Sequence, residues 1–439
     1  TAIDDNASQL ASSGQDVAIE VDCGDVREAL QQAIDGSDPT KPLRINVLGT
    51  ATCGPIAVRR DNVSVKGGND TDTASRTIGT DGDGNAPVWV EGARHVTLSN
   101  LTIDAADGGT SEVGVAVAKG ALVNLDFVSV QNSTAEAVTV FVNSTAVLSG
   151  TNTFAGGSGR GLNIGGNATV FAENGETTIS STGGEPVLEM DANAVFGGGA
   201  AVNLSSTGVP ANGTSINVAG NSYLGLENGS IELSGELEVR RSLVLIEPSG
   251  DGFTGPVFTL TAAAVDLLPG SRVVLASEDG ASIESTGSWF VNNDSSVVAV
   301  GAGTTLGGGS VFAQFGGTFG AGDGTDLNGM SGITARWNGQ LILGGGMPTL
   351  TLLNDAIRVF DGGSLFSFDP ALQTTDQVNC SRPPIFPAVT TTLSGTGSGT
   401  VDGSVGPETV TVDNVTVSNT VSNGFAVAIA AGAFADLCL

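Results

Sequence analysis

The chain is short of the residues on which most chemistry depends. Its 439 residues include one His, one Tyr, three Trp and three Met. Lysine occurs only at Lys41, Lys66 and Lys119, and Lys and Arg together number 16 against 46 Asp and Glu, a formal charge of −30. Phosphate binding needs clustered Lys and Arg, so nucleic acid and anionic membranes are not expected partners. No apolar run reaches the ~20 residues of a membrane-spanning helix. The nearest, residues 425–434 (FAVAIAAGAF), is too short. No signal segment is recognisable, and Thr1 is compatible with a processed start. With 40% apolar residues the chain is no disordered acidic tail.

What is there points to an unusual architecture. Glycine numbers 65, without the triplet period of collagen. The four cysteines, Cys23, Cys53, Cys380 and Cys438, cluster in pairs near the two ends and show no CxxC spacing. Four cysteines allow three connectivities. The economical one is Cys23–Cys53 and Cys380–Cys438, which implies an extracytoplasmic location. The acidity favours solubility, cations or high salt. Asp (29) exceeds Glu (17), as on a halophile surface, although 14% charged residues is low for one.

Residues 25–34 (DVREALQQAI) predict a helix, with Val26, Ala29, Leu30, Ala33 and Ile34 on one face and Gly36 and Pro39 stopping it. Elsewhere short alternating runs predict strands: 63–65, 88–90, 95–103, 113–117, 138–142, 237–239 and 410–417. A degenerate unit recurs in these runs. Segments starting at Val115, Thr139, Leu162, Leu188 and Ile216 share an apolar-x-apolar start, a small polar turn and a second alternation. Looser copies follow near residues 260–274, 290–300, 333–343 and 357–368. A repeat of roughly 25 residues holding two or three strands is one coil of a parallel β-helix, since one strand pair cannot bury its apolar side alone. Tandem immunoglobulin-like sandwiches would need ~100-residue units and aromatic landmarks.

The stretch from Cys23 through the helix to Leu43-Arg-Ile-Asn-Val, Gly54-Pro-Ile-Ala-Val and Val63-Ser-Val-Lys-Gly resembles the opening of a right-handed parallel β-helix of the pectin-lyase-like superfamily. The resemblance covers roughly residues 20–370 and is one of architecture. The expected fold is all-β. Residues 1–40 form an N-terminal segment with a capping helix, 41–370 the right-handed parallel β-helix, and 371–439 a strand-rich C-terminal cap pinned by Cys380–Cys438.

Enzymes of that superfamily act on polysaccharides with carboxylates and Arg, Lys, His or Tyr on neighbouring coils. Here the Asn-Thr-Asp, Asp-Asp, Gly-His-Gly and Arg-Ile-Lys motifs of polygalacturonase-like hydrolases are missing, as is the Asp-Pro-His-Glu motif of alginate epimerases. No catalytic residue is assigned. The nearest candidates are Glu236, Glu238 and Arg240, at i, i+2 and i+4 on one strand face, with a solvated ion pair as the plainer reading. Glu189 and Asp191 flank Met190 in the same way, and His95 reads as a surface residue. No cofactor is expected beyond weakly held calcium, which the negative charge favours. Asp81, Asp83 and Asn85 begin like a calcium loop, but Ala86 and Gly92 stand where such a loop has Gly and Glu, so a turn is expected.

The strongest local pattern is Asn-x-Ser/Thr. It occurs thirteen times, at Asn6, Asn62, Asn69, Asn100, Asn132, Asn143, Asn167, Asn203, Asn212, Asn228, Asn293, Asn379 and Asn414. Multiplying residue frequencies gives about five by chance. Attached glycans explain the excess, and so does a β-helix surface that favours Asn and Thr outside. The function expected from sequence is a secreted, N-glycosylated structural or adhesive β-helix protein of a cell surface, matrix or filamentous appendage. Its partners would be further copies or other surface proteins. The alternatives are a polysaccharide-binding or polysaccharide-degrading protein, and a passive surface protein of a halophile.

Overall fold

A coil whose strands are apolar on one side can bury that side only against itself and the coils above and below, and this chain resolves the problem by stacking. It is an all-β parallel β-solenoid of about 12 turns. The structure, a computed structural model, describes residues 18–69, 74–80, 86–106, 113–248, 257–278, 280–322, 324–327, 329–344, 350–352, 357–359, 363–368, 409–412, 415–419, 427–429 and 434–437. The chain divides into two units, Thr1–Leu224 and Gly225–Leu439.

In the first unit, Val115, Val138, Leu162, Leu188 and Ile216 lie in parallel register, all fully buried. A second inner column runs Ile78, Ile103, Val130, Phe154, Ile179 and Leu204, equally buried. The repeat read from sequence is therefore real, with one correction. Val138, not Thr139, stacks on Val115 and Leu162. The alternation there misleads because Phe141 is apolar yet lies in the outward phase, its ring edge-on to Trp89 at 6.4 Å.

One set of corners shows why asparagine recurs. Asn143, Asn167, Asn193 and Asn221 have φ of 58°, 61°, 62° and 64°, the left-handed region that Asn tolerates best among residues with a side chain. The next residue points inward and must be small: Ser144, Ala168, Ala194 and Ser222 are all buried. The one after that, Thr145, Thr169, Val195 or Tyr223, begins the next strand on its outer side. Asn167 Nδ2 donates to Asn143 Oδ1 (3.1 Å), and Asn193 Nδ2 to Asn167 Oδ1 (2.8 Å), so the corner side chains form a ladder along the coils.

The helix spans Ala29–Gly36 and buries Ala29, Leu30, Ala33 and Ile34. It starts later than the apolar spacing suggests. Gly24 N–H is turned onto Asp22 Oδ1 (2.9 Å), Cys23 is joined to Cys53, and Val26 is left exposed. Gln31 Oε1 accepts the Ala57 N–H at 2.6 Å, so the helix satisfies backbone at the edge strand Ile56–Val58 as well as covering apolar surface. Cys380 and Cys438 lie outside the described residues.

In the second unit the inner column Leu237, Val265, Trp289, Val311 and Ile333 is buried and in parallel register. The strands Val257–Leu268 and Ser282–Asn292 bend midway, with a register shift between Thr261 and Ala264. Gly287 makes the bend possible: its φ is 136°, and a Cβ there would lie 2.3 Å from the Ala262 carbonyl oxygen. The strand expected over 410–417 is instead an antiparallel pair, Thr409–Val412 and Val415–Asn419, with the turn-favouring pair Asp413-Asn414 between them. Val427–Ile429 and Phe434–Leu437 pair in parallel with Ile357–Val359 and Ser364–Phe368. Among the described residues, no helix is long and apolar enough to cross a membrane.

Candidate functional site

The bend at Gly287 brings the second halves of two long strands onto the same outer face as Glu236–Arg240. On five successive coils the outward residues are Glu238, Asp266, Phe290, Phe312 and Thr334, each in register with the next. Beside them run Arg240, Leu268, Asn292, Gln314 and Arg336. The alternation expected at Glu236, Glu238 and Arg240 holds, with Leu237 and Val239 fully buried between them. Arg240 donates to Glu238 at 2.8 Å.

Sequence reasoning missed Asp266, which the fold sets directly beside Glu238. Burial first, and then the charges of Glu236 and Glu238, hold its carboxyl above the ordinary value, against the opposing hydrogen bond from Asn292. A chain of hydrogen bonds leads away from it. Asn292 Nδ2 donates to Asp266 Oδ1 (2.9 Å), Gln314 Nε2 to Asn292 Oδ1 (2.6 Å), and Arg336 Nε to Gln314 Oε1 (2.8 Å). Separations of 26, 22 and 22 residues are the only trace of this chain in the sequence.

The far end is aromatic and cationic. The Phe290 and Phe312 rings stack at 5.1 Å, and those of Phe315 and Trp337 at 4.6 Å. The Arg336 guanidinium lies 4.1 Å from the Trp337 ring centre. Arg336 makes no ion pair among the described residues. Phe315 and Trp337 are exposed, and their φ values of 54° and 50° put bulky side chains in the left-handed region. Such a conformation costs of order 1–3 kcal/mol per residue, and the exposed Phe127 and Val142 adopt it at other corners.

Because the Asp266 pKa is raised on folding, this group favours the native state at low pH, and the advantage is lost as pH rises through its folded pKa. Asp266→Asn removes the charge and keeps an acceptor for Asn292. The variant is expected to melt higher than the parent at pH 7, with the difference vanishing near pH 3. Thermal unfolding followed by circular dichroism at both pH values checks this.

In the first unit Arg160 gathers three carboxylates from the coils on either side of it. It donates to Glu136 at 3.0 Å, to Glu189, and lies 3.2 Å from Glu185. Glu189, singled out in the sequence, is thus tied into a closed cluster, while Asp191 is exposed and outside it. His95 is exposed, as expected. Asp81, Asp83 and Asn85 lie outside the described residues. Among the described residues, no three Asp, Glu, His or Cys side chains are arranged to hold a metal ion.

Of the sequon asparagines, Asn62, Asn132, Asn143, Asn167, Asn212 and Asn293 are exposed, and Asn69, Asn100, Asn203 and Asn228 half-buried. Asn100 is turned back onto the neighbouring coil. Its φ is 53°, and its Nδ2 donates to the Gly67 carbonyl at 2.7 Å. Asn6, Asn379 and Asn414 lie outside the described residues.

Comparison with known proteins gives no match to this chain, whether to a family model, a curated protein or a solved structure.

Proposed function

We propose that the chain is an extracellular, N-glycosylated structural or adhesive β-solenoid protein of a cell surface, matrix or appendage, built on the pectin-lyase-like plan. Contact is made through the outer face of its second unit. The observation that carries this reading is the exposed Phe315–Trp337 stack, held in a costly backbone conformation and joined by Arg336. Aromatic and Arg side chains are the residue types that dominate contact surfaces. The Cys23–Cys53 bridge and the exposed corner asparagines accord with a secretory origin.

The test is retention. Purified native protein is added back to washed source cells, beside a Phe315→Ala/Trp337→Ala variant. The variant is expected to bind roughly tenfold or more weakly. Equal retention of the two overturns the reading. Intact glycopeptide mass spectrometry of the same material is expected to find glycan at the exposed corner sites and none at Asn100. Unmodified protein throughout removes glycosylation from it.

A second reading, polysaccharide binding or cleavage, draws on the Glu238–Asp266 adjacency. Two neighbouring carboxyls, one with its pKa raised by burial and by its acidic neighbours, are the kind of pair that glycoside hydrolysis uses. Acidic polysaccharides incubated with the protein would then yield reducing ends or unsaturated products, lost in Glu238→Gln.

A further inference from the structure

We propose that the Phe315–Trp337 stack is the seat of a glycan carried by the same chain: the first sugar ring of an N-linked chain on Asn293 lies against the free face of Phe315. The inference rests on the glycosylation in the reading above and names what its aromatic stack holds. Three successive coils turn here in the same way. The tetrads Asn292–Ser295, Gln314–Gly317 and Arg336–Gly339 each close with the N–H of the last residue on the carbonyl of the first, at 3.1, 3.0 and 2.9 Å. Both central residues of each are left-handed, with φ of 49° and 59°, 54° and 85°, and 50° and 64°. These are two-residue turns of one type. Asn292 is in register with Gln314, and Gln314 with Arg336, so Asn293, Phe315 and Trp337 hold the same turn position on consecutive coils.

Side chains leaving that position run side by side. The Phe315 and Trp337 ring centres are 4.6 Å apart, close to the ~4.8 Å step between coils. Trp337 covers one face of Phe315. The other face turns toward the Asn293 coil, and Phe315 is 49% exposed. A pyranose bonded to Asn293 Nδ2 would set its apolar C–H face against that ring at the same step. Asn293-Asp-Ser is a sequon, Asn293 is exposed, and its side-chain amide makes no hydrogen bond among the described residues. The adjacent Asp294 carboxylate is folded over Gly316, where a Cβ would lie 2.8 Å from Oδ1. Other sequons differ. Asn132 and Asn167 Nδ2 are tied to Asp104 and Asn143, both at 3.1 Å, and the corner side chain one coil beyond Asn143 or Asn167 is another asparagine. Attachment exchanges one Nδ2 hydrogen for the anomeric carbon of the sugar; the C1–O bond of a diphosphate-linked donor breaks and the proton leaves with the diphosphate. A free sugar meets a ring weakly, but a short tether holds it there at an effective concentration on the order of millimolar.

The experiment is a double-mutant cycle on the full chain, secreted from a host that glycosylates: parent, Asn293→Gly, Phe315→Asn and the two together. Gly and Asn suit the left-handed turn, and neither change creates a sequon. Glycopeptide mass spectrometry is expected to find Asn293 occupied. Loss of the glycan is expected to lower the Tm by about 2–4 °C more with Phe315 in place than in the Phe315→Asn background. Phe315→Tyr, which keeps the ring, is expected to keep that difference, and matching circular dichroism shows that the variants are folded. A glycan on Asn293 that stabilises both backgrounds equally overturns the seat and leaves glycosylation intact. An unmodified Asn293 beside occupied Asn62 and Asn143 does the same. A parent with no sugar at any sequon overturns both the inference and the glycosylation on which it rests. A stack that retains the protein on cells while Asn293 is unmodified assigns the rings to a foreign partner and overturns the inference alone.

Discussion

Phe154→Ala is expected to destabilise the first unit by about 3–5 kcal/mol, the range for deleting a buried aromatic ring that neighbours cannot replace. Phe154 is fully buried and in register with Val130 on one side and Ile179 on the other, both also fully buried. Both neighbours are β-branched, with χ1 constrained, so neither can swing into the space left behind. In a stacked fold the damage should be local, since each coil contacts only those next to it. Hydrogen exchange is expected to rise steeply in Thr151–Ala155 and its parallel neighbours. It should change little at the helix Ala29–Gly36. A loss below about 1 kcal/mol would mean that the column is loosely packed and that register alone holds the coils.

The second large effect is expected at the other kind of restraint. Cys23 and Cys53 are 30 residues apart in sequence, with Cα atoms 5.1 Å apart. Closing a loop of that size is worth about 3–4 kcal/mol in the chain-entropy treatment. Within that loop lie the helix and the strand Leu43–Leu48, and the strand Ile19–Asp22 ends just before it. The paired variant Cys23→Ser/Cys53→Ser should therefore loosen the N-terminal cap rather than the whole unit. Amide exchange in Ala29–Gly36 is expected to speed up a few hundredfold, the factor that corresponds to this free energy. The coils around Phe154 should keep their protection. Uniform acceleration across the unit would instead mean that the cap nucleates everything after it.

Much of the fold could be read from the sequence because its physics repeats. Period-two alternation marks the strands, and Asn or Gly marks the corners. The roughly 25-residue return of the same pattern excludes a sandwich. The errors have local causes. Phe141 is apolar in an outward position and shifted the alignment at Val138 by one residue. Val26 fits the helical spacing but lies in a turn set by Asp22 and the disulfide. The candidate site was legible only along one strand. Glu236, Glu238 and Arg240 sit on a single run, whereas Asp266, Asn292, Gln314 and Arg336 come from separate coils. Their contact depends on coil lengths and on the shift near Gly287, which alternation does not encode. Phe315 and Trp337 look like core residues by type and are placed outside by the corner that holds them.

The corner geometry also bears on the sequons. Asn143-Ser-Thr and Asn167-Ala-Thr satisfy a left-handed turn, a small buried residue and an outward strand start in order. Asn193-Ala-Val and Asn221-Ser-Tyr satisfy the same three demands without a hydroxyl in the third place. Part of the sequon excess is thus supplied by the architecture itself.

The hydrogen-bonded chain from Arg336 to Asp266 has a sense of direction. A guanidinium can only donate and an ionised carboxylate can only accept, so the two ends dictate which way both intervening amides must face. Neither Asn292 nor Gln314 can flip alone without setting donor against donor or acceptor against acceptor. The four side chains therefore behave as a single two-ended switch with one position locked. Neutralising either terminus would release the lock and leave the amides degenerate between two orientations. Information about the charge at one end of the strip is in this way written into groups three coils away, without any movement of the backbone.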